Sequence, residues 1–394
     1  GDTLMRIARR MGDIAPFRVM EILGRARAME AQGRDVVHME IGEPDFVSPQ
    51  PAIDAAHQAL HSGFTHYTPA AGLPSLRETL ADYYRRQFGE SVDPRRILVT
   101  PGASGALQLA LGVLVDPGDR VLHTDPGYPC NRHLVSLLGG VPIPLAVSVD
   151  TDYGVTESAL SAAMRDGAAA LMLASPANPT GNVIPLDHLQ ALNRLLREHD
   201  DAVLICDEIY QGLQYDCPVQ TALSLHAGNV VVINSFSKFF GMTGWRVGWV
   251  VAPDSLVEPM ERLAQNLYLA APTLAQHAAL AAFSESGAEI LEARRQAFHA
   301  RRDYLYSAID DLGFVVGPRP AGAFYLYADA SHFTDDSLAF CQQLLESAGV
   351  AITPGHDFGH YQAARHVRFA YTTGQERLEL GIERLRRFIT AGGD

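Results

Sequence analysis

A single lysine is the residue of this sequence best suited to covalent chemistry. The chain has 31 lysine and arginine residues, and Lys238, within NSFSKFFGMTGWRVGWV, is the only lysine among them. An arginine stays protonated at any working pH, whereas a lysine amine with a lowered pKa can attack carbonyl carbons and form Schiff bases. Phe236, Phe239 and Trp245 make its surroundings apolar. The pattern favours a chemically active lysine over the alternative, a surface charge.

Lys238 follows one of five segments that are predicted to be buried strands. These segments are short apolar runs at residues 96–100, 120–124, 169–174, 202–207 and 230–235, and the last two are β-branched without alternation. Such runs are typical of parallel strands that helices cover on both faces. Helical patterns separate them, for example SGALQLALGVLV at 104–115. The region from about 95 to 250 is therefore predicted to form a doubly wound α/β domain.

Each of these predicted strands runs into a distinctive polar group. The first runs into PGASGAL, whose Gly102, Ala103 and Ser104 could offer main-chain amides to a phosphate, although many tight turns look similar. The later strand ends carry Tyr128, Asn178, Asp207, Tyr210, Ser235, Ser237 and Lys238. Ligands of doubly wound sheets bind at the carboxyl ends of the strands, so these residues are predicted to meet at one site.

A phosphate cradle, a Schiff-base lysine and a strand-end carboxylate together indicate pyridoxal 5′-phosphate as the cofactor. The protein must hold its phosphate, bond its aldehyde and keep its ring nitrogen protonated, and the cofactor then acts as an electron sink. A carboxylate beside the ring nitrogen favours the charged form, and Asp207 is the candidate. The alternative for Asp207 is an ordinary helix cap or turn acid.

Four motifs in this order, SPANPTG, DEIY, SFSKFFGMTGWRVGW and VRFAYTT, resemble those of the class I/II aminotransferases of the aspartate aminotransferase superfamily, fold type I. The resemblance extends from PFRVMEIL through IGEPDF and HYTPAAGLPSLR to the C-terminal arginine. It implies a large domain with a mostly parallel, seven-stranded, doubly wound sheet and a smaller α+β domain. Residues 46–280 are assigned to the large pyridoxal-phosphate-binding domain, and residues 1–45 plus 281–394 to the small domain.

The resemblance also implies a role for each candidate cofactor residue. Lys238 would hold the cofactor aldehyde and move the α-proton, Asp207 would pair with the ring nitrogen, and Tyr210 would hydrogen-bond the ring hydroxyl. The other implied cofactor contacts are Tyr128 and Asn178 at the ring, and Gly102, Ala103, Ser104, Ser235, Ser237 and Arg246 at the phosphate.

Substrate and subunit contacts follow from the same resemblance. Arg368 would bind the substrate α-carboxylate as a bidentate fork, together with Asn178 and the main-chain amide of Gly42. Tyr67 would reach the phosphate of the neighbouring subunit, which implies a homodimer.

Composition excludes several other classes of protein. Hydrophobic residues make up 47% of the chain and charged residues 19%, as in soluble globular enzymes. The net charge of −14 argues against a nucleic-acid partner. No apolar run reaches the roughly 18 residues that span a bilayer, and no signal-peptide core is present. Four widely spaced cysteines without a CxxC motif predict a cytoplasmic location and no metal site.

The predicted reaction is a ping-pong transfer of an amino group between an L-amino acid and a 2-oxo acid. Ser104 stands where some dicarboxylate-specific relatives have a lysine, and no Arg or Lys occurs between Arg262 and Arg294, where others place a partner arginine. A neutral substrate such as alanine, a branched-chain or an aromatic amino acid is therefore expected. The alternatives are an aspartate/glutamate-type aminotransferase and a pyridoxal-phosphate-dependent carbon–sulfur lyase. The intact set of residues around Lys238 disfavours a non-catalytic binding protein.

Overall fold

The computed structural model describes residues 4–199 and 201–392 of the chain. Its strands are β1 (Val37–His38), β2 (Ile97–Thr100), β3 (Arg120–Asp125), β4 (Val141–Ala146), β5 (Ala170–Ala174), β6 (Val203–Asp207), β7 (Val230–Ser235), β8 (Gly248–Val251), β9 (Tyr325–Asp329), β10 (Val350–Ala351), β11 (Thr353–Pro354) and β12 (His366–Ala370). Its α-helices are α1 (Arg18–Ala31), α2 (Gln50–His61), α3 (Pro74–Phe88), α4 (Gly102–Leu114), α5 (Pro129–Leu137), α6 (Glu157–Ala163), α7 (Leu186–His199), α8 (Asp254–Leu267), α9 (Thr273–Ala282), α10 (Glu285–Leu312), α11 (Ser337–Ala348) and α12 (Gln375–Ala391).

A seven-stranded sheet with the order β2-β8-β7-β6-β5-β3-β4 forms the centre of the larger part. The pairs from β7 through β6, β5 and β3 to β4 are parallel. Only β8 runs against its neighbours, because it pairs antiparallel with both β2 and β7. The expected doubly wound, mostly parallel sheet is confirmed.

Sequence patterns predicted five of these strands and missed β4 and β8. β4 contains Pro142 and Pro144, and a proline cannot donate a hydrogen bond to a ladder. β4 pairs only with β3 and so forms the edge of the sheet, where prolines are tolerated. β8 has four residues, and its antiparallel direction departs from the repeating strand–helix pattern.

Both faces of the large sheet are buried. In β6, Leu204 and Cys206 pack into one cluster of apolar residues, and Ile205 packs into another. In β7, Val232 and Val231 divide between the same two clusters. Because successive side chains point to opposite faces, burial on both faces requires continuous apolar runs such as those in the sequence.

The smaller part combines the beginning and the end of the chain. β1 pairs in parallel with β10, with Val37 opposite Val350. β11, β12 and β9 form a separate antiparallel sheet in that order. A third apolar cluster joins these strands to α10, α11 and α12. Strands and helices are therefore mixed here as the α+β expectation requires.

The assigned domain limits, 46–280 and 1–45 plus 281–394, remain a prediction. The third apolar cluster contains Tyr210, Leu213 and Tyr215, which lie inside the range assigned to the large domain. The packing of the smaller part therefore extends across the predicted limit.

The helices after the large sheet differ in one respect from the sequence pattern. The sequence from Pro272 to about Leu312 has the pattern of one long helical stretch, and in the structure it is divided into α9 and α10. Ser284 separates them, and its Oγ caps α10 by accepting a hydrogen bond from the Gly287 amide at 3.1 Å. No helix in the described part of the chain is long and apolar enough to cross a membrane.

Candidate active site

The carboxyl ends of the parallel strands open onto one cavity. Residues from the ends of β2, β3, β6 and β7 line it, as expected for a doubly wound sheet. The predicted cofactor residues in its wall are Ala103, Ser104, Tyr128, Asp207, Ser235, Ser237, Lys238 and Arg246. Apolar side chains such as Leu107, Leu134 and Ile233 complete the wall. Groups that are far apart in sequence thus meet in one place.

Lys238 follows β7 and lies in the wall of this cavity. Its Nζ donates a hydrogen bond to the main-chain oxygen of Gly42 and lies 5.8 Å from the centroid of the Tyr210 ring. Burial, with a smaller contribution from Arg368, lowers the pKa of the Lys238 amine to about 8. A much larger fraction of this amine is therefore neutral near pH 7 than for a lysine in water, as a nucleophile or a proton acceptor requires.

Asp207 is the last residue of β6 and faces the same cavity. Its Oδ1 accepts a hydrogen bond from the Ile209 amide at 3.1 Å. Burial raises the pKa of the Asp207 carboxyl to about 6, and the Ile209 amide and the Lys238 cation oppose that rise. A carboxylate held in such surroundings favours a neighbouring cation, because a positive charge offsets the cost of its burial.

The first turn of α4 packs closely against Arg246. Gly102 has a φ of +68°, and a Cβ added to it would lie 2.3 Å from Nη2 of Arg246. Ala103 is equally close to β8, since a Cβ on Gly248 would lie 2.8 Å from the Ala103 amide nitrogen. The turn therefore needs glycine in order to bring main-chain amides and a guanidinium to the same point.

The serines after β7 complete this corner of the cavity. The Oγ of Ser235 accepts a hydrogen bond from the Ser237 amide at 2.9 Å. Nη1 of Arg246 lies 3.5 Å from Oγ of Ser237 and 3.3 Å from the main-chain oxygen of Thr243. A guanidinium, two hydroxyls and a helix N-terminus form a set of donors that suits a phosphate.

The Tyr210 ring lies beside Lys238, and its hydroxyl pairs with a second tyrosine. The Tyr210 hydroxyl is 2.7 Å from the Tyr325 hydroxyl, and both side chains are buried. Tyr128 follows β3 and packs edge-on against Phe17, with a distance of 6.2 Å between ring centroids. Burial raises the pKa of both Tyr210 and Tyr128 well above the usual value, so both are neutral hydrogen-bonding groups.

Arg368 is a buried cation in β12. Its guanidinium carbon lies 4.1 Å from the ring centroid of Tyr325 and 4.9 Å from that of Phe358. Its Nη1 donates to Oδ1 of Asn178 at 2.8 Å, and its Nη2 donates to the main-chain oxygen of Glu40 at 2.7 Å. Its Nε has no hydrogen-bond partner within residues 4–199 and 201–392. A buried charge with an unused donor favours an anionic ligand.

Comparison with known families identifies the protein that has this site. The family model for aminotransferase class I and II matches residues 34–385. The chain belongs to this family. It is a pyridoxal-phosphate-dependent aminotransferase, since members of the family use pyridoxal 5′-phosphate.

Relatives of this aminotransferase match it from end to end. It is 36% identical to the valine–pyruvate aminotransferase of Mycobacterium tuberculosis over 385 residues, with 98% of each chain covered. It is 35% identical to the aspartate/prephenate aminotransferase of Thermus thermophilus, covering 97% of this chain and 98% of that one. The crystal structure of an aminotransferase from M. tuberculosis superimposes with a TM-score of 0.95 at 36% identity, covering 98% of this chain and all of that one.

The residues of this aminotransferase fit pyridoxal 5′-phosphate. Gly102 leaves room for Arg246 against the α4 amides, which provides a cationic corner for the phosphate. Asp207 offers a carboxylate that suits the ring nitrogen of the cofactor, and Lys238 offers an amine with a lowered pKa. All four residues lie at the strand ends around one cavity or directly against its wall.

Six predicted residues are not part of the wall of this cavity, namely Gly42, Tyr67, Gly102, Asn178, Tyr210 and Arg368. Asn178 is bonded to Arg368 and lines an adjacent cavity together with Tyr128. Gly42 contacts Lys238 through its carbonyl oxygen, whereas the sequence pointed to its amide. Tyr67 is 81% exposed. Its expected role at the site of a neighbouring subunit stays a prediction.

Sequence reasoning missed Tyr325 and the Gly42 carbonyl. Tyr325 stands in GAFYLYAD, which carries only the signal of a buried strand. A tyrosine hydroxyl in such a strand needs a polar partner, and that requirement is the one signal that could have marked it. The partner, Tyr210, is 115 positions away, which no local pattern can show.

Proposed function

We propose that this aminotransferase takes its amino group from a neutral L-amino acid, such as alanine, a branched-chain or an aromatic amino acid, and passes it to a 2-oxo acid in a ping-pong reaction. The observation that carries the proposal is the single buried Arg368 near Lys238, which suits one α-carboxylate. The cations in the cavity wall itself are Lys238 and Arg246, and both have other roles.

Lys238 is the proposed proton carrier. When bound, pyridoxal phosphate supplies an electron-poor ring that stabilises negative charge at the α-carbon of the amino acid. The Nζ of Lys238 would take the proton from the α-carbon of the amino acid and deliver it to the carbon of the cofactor's aldehyde group, and its lowered pKa suits both directions near neutral pH. Asp207 keeps the ring nitrogen protonated, and Tyr210 hydrogen-bonds the ring hydroxyl.

The other cofactor contacts hold the ring and the phosphate in place. Tyr128 packs on the ring, and Asn178 adds a hydrogen bond there. The phosphate is held by Arg246 and by the groups around it, which are Gly102, Ala103, Ser104, Ser235 and Ser237.

Arg368 is the proposed anchor of the substrate carboxylate. Asn178 and the Glu40 carbonyl each occupy one of its terminal nitrogens and so fix the plane of the guanidinium. A carboxylate bound in that plane adds charge-assisted hydrogen bonds and compensates a buried cation. The main-chain amide of Gly42 is the proposed additional donor.

The proposed preference for a substrate with a neutral side chain rests on the absence of cations that could bind a second carboxylate. Ser104 occupies the glycine-rich turn where a lysine would grip a second carboxylate, and residues 263–293 contain no Arg or Lys. Arg132 follows the cavity residues Cys130 and Asn131 but lies in the field of carboxylates from Asp125 and Asp357. The valine–pyruvate aminotransferase relative supports a neutral donor.

The aspartate/prephenate aminotransferase relative keeps an acidic donor as the second candidate. A carbon–sulfur lyase is the third, because it uses the same lysine and aspartate.

We also propose a homodimer in which Tyr67 reaches the phosphate of the neighbouring subunit, and a cytoplasmic location. The high exposure of Tyr67 supports the first of these proposals, and the four free cysteines support the second.

The test is a donor series on the purified holoenzyme. Alanine, valine, phenylalanine, aspartate and glutamate are added singly, and the visible absorbance of the bound cofactor is followed before and after addition of pyruvate or 2-oxoglutarate. We expect kcat/KM for a neutral donor to exceed that for aspartate at least tenfold. Aspartate as the best donor would overturn the proposed preference. A cysteine thioether is added in a separate assay, and release of a thiol, ammonia and pyruvate from it without an acceptor acid would identify the lyase.

A matched pair of variants tests whether the absence of a cation at position 104 explains the proposed preference for a neutral substrate. Ser104→Lys should raise kcat/KM for aspartate about tenfold over Ser104→Ala, because a charge-assisted hydrogen bond adds roughly 1.5–3 kcal/mol. Both variants lose the serine hydroxyl, so the difference between them reports the added charge. Equal aspartate activity in the two variants would count against this explanation of specificity.

A further inference from the structure

Tyr325 contacts three predicted residues of the site although no motif pointed to it. It begins β9, and 1% of its surface is exposed. Its hydroxyl lies 2.7 Å from the Tyr210 hydroxyl, and its ring centroid lies 4.1 Å from the Arg368 guanidinium carbon. Gly42 packs against the same hydroxyl, since a Cβ added there would lie 2.6 Å from it. Tyr325 therefore connects the residue that binds the substrate carboxylate to the residue that binds the cofactor ring.

The neighbouring charge decides which hydroxyl donates. Each hydroxyl has one proton, so one member of the pair donates and the other accepts. A cation over a phenol ring favours negative charge on that phenol, and Arg368 lies over Tyr325. Burial raises the pKa of both phenols, and Arg368 is the largest opposing influence at Tyr325. Tyr325 is thus the more acidic hydroxyl and the donor.

We propose that Tyr325 is a positioning residue that donates a hydrogen bond to Tyr210 and thereby directs the Tyr210 proton to the ring oxygen of the cofactor. The proposal rests on the proposed function, in which Tyr210 binds that oxygen. With its oxygen accepting from Tyr325, Tyr210 turns its own proton away from Tyr325. Hydrogen bonds in a chain also polarise and strengthen one another.

The proposed hydrogen bond changes the pH at which the lysine-bound cofactor is half protonated, which is called the midpoint below. A hydrogen bond from Tyr210 to the ring oxygen stabilises the deprotonated form of the lysine-bound cofactor over the protonated form. The two forms absorb at different wavelengths, so a titration of the holoenzyme gives the midpoint directly. Donation by Tyr325 lowers this midpoint, and removal of the Tyr325 hydroxyl should raise it.

The first variant is Tyr325→Phe, which removes the hydroxyl and keeps the ring. We expect the midpoint to rise by about 0.1–0.7 of a pH unit, because cooperative polarisation strengthens a hydrogen bond by roughly 10–30%. The matched control is Tyr327→Phe. Tyr327 lies in the same strand and is 2% exposed, and its hydroxyl has no hydrogen-bond partner within the described ranges. That control should leave the midpoint unchanged.

The double variant tests whether Tyr325 acts through Tyr210. Tyr210→Phe should raise the midpoint more than Tyr325→Phe does, and adding Tyr325→Phe to it should cause no further shift. The proposed action of Tyr325 through Tyr210 is called the relay below. A full shift in that background would overturn it, as would an unchanged or lowered midpoint in Tyr325→Phe alone. If Tyr210→Phe raises the midpoint and Tyr325→Phe does not, the relay fails while the proposed function stands. If Tyr210→Phe has no effect, the proposed role of Tyr210 fails too.

Steady-state kinetics separate the effect of the Tyr325 hydroxyl from the effect of its ring. Tyr325→Phe keeps the ring against Arg368, so KM for the amino acid should stay within about twofold of the parent value. Tyr325→Leu removes the ring, and KM should rise about five- to thirtyfold with the loss of a buried cation–π contact. An equal rise of KM in both variants would show that the hydroxyl, and not the ring, supports substrate binding, and this would contradict the separate roles proposed for them.

Discussion

The Arg368 guanidinium and the Asn178 amide meet at 2.8 Å although they are 190 positions apart in the chain. Arg368 belongs to the small antiparallel sheet, and Asn178 follows β5 of the large sheet. The orientation of the proposed carboxylate anchor therefore depends on contact between the two parts of the molecule. A change in either part should alter substrate binding.

Arg368→Lys should lower kcat/KM for the best amino acid by about 10²–10³-fold. A lysine keeps the charge and loses the planar pair of donors, and one or two charge-assisted hydrogen bonds of roughly 1.5–3 kcal/mol are lost. The control is Arg377→Lys, because Arg377 pairs with Asp35 on the surface. Steady-state kinetics of both variants decide the question, and a less than tenfold loss for Arg368→Lys would remove Arg368 from the proposed role.

Gly102→Ala should weaken cofactor binding about 10–100-fold. The new Cβ would meet Arg246 at 2.3 Å, and the φ of +68° disfavours any residue with a side chain, so the arginine or the turn must move. The dissociation constant is measured by titrating cofactor-free protein with pyridoxal phosphate. Gly228→Ala is the control, because within the described residues no atom beyond its two chain neighbours lies within 4 Å of a Cβ there. Equal constants for the two variants would contradict the phosphate cradle.

The strand-end residues of the site could be predicted from the sequence, whereas some of the residues and strands packed around them could not. Lys238 and Asp207 follow buried apolar strands, and the topology of a parallel sheet brings strand ends together, so local patterns sufficed. The Tyr325–Tyr210 pair depends on how the small sheet packs against the large one, which local patterns do not encode. β4 was missed because Pro142 and Pro144 hide a strand that only an edge position permits.

Asp207→Asn should weaken cofactor binding about 10–100-fold at pH 8 and much less below pH 6. The pKa of the Asp207 carboxyl is raised to about 6, so it is charged above that pH and neutral below it. Only the charged form adds a strong hydrogen bond to a protonated ring nitrogen. The ratio of the variant and parent dissociation constants is measured between pH 5 and 8.

A ratio that shrinks as pH falls through about 6 supports the pairing of Asp207 with the ring nitrogen. A ratio that is constant over the same range would contradict it, because the parent protein would then gain nothing from the ionised carboxylate. Asp187→Asn is a control for the change of net charge, since Asp187 is an acid in the first turn of α7.

A charged histidine that pairs with the buried Glu40 makes stability depend on pH. Nδ1 of His38 lies 2.7 Å from Oε1 of the fully buried Glu40, and Nε2 lies 2.8 Å from Oε1 of Glu30. The hydrogen bond and the charge of Glu40 raise the pKa of His38 from 6.5 to about 9, against the effect of burial. Glu40 also holds Arg368 through its carbonyl oxygen. Loss of the His38 proton would leave a buried carboxylate without its cation.

The sign of the pH dependence follows from this raised pKa. The His38 contribution to the free energy of unfolding is complete below about pH 6.5, where the folded and unfolded histidines are both protonated, and is lost as the pH rises through about 9. We expect the parent protein to lose about 2–3 kcal/mol between these limits relative to His38→Gln, which has no charge to lose. Urea unfolding of both proteins at pH 6, 7.5 and 9.5 measures the difference, and parallel pH profiles would show that His38 does not compensate Glu40.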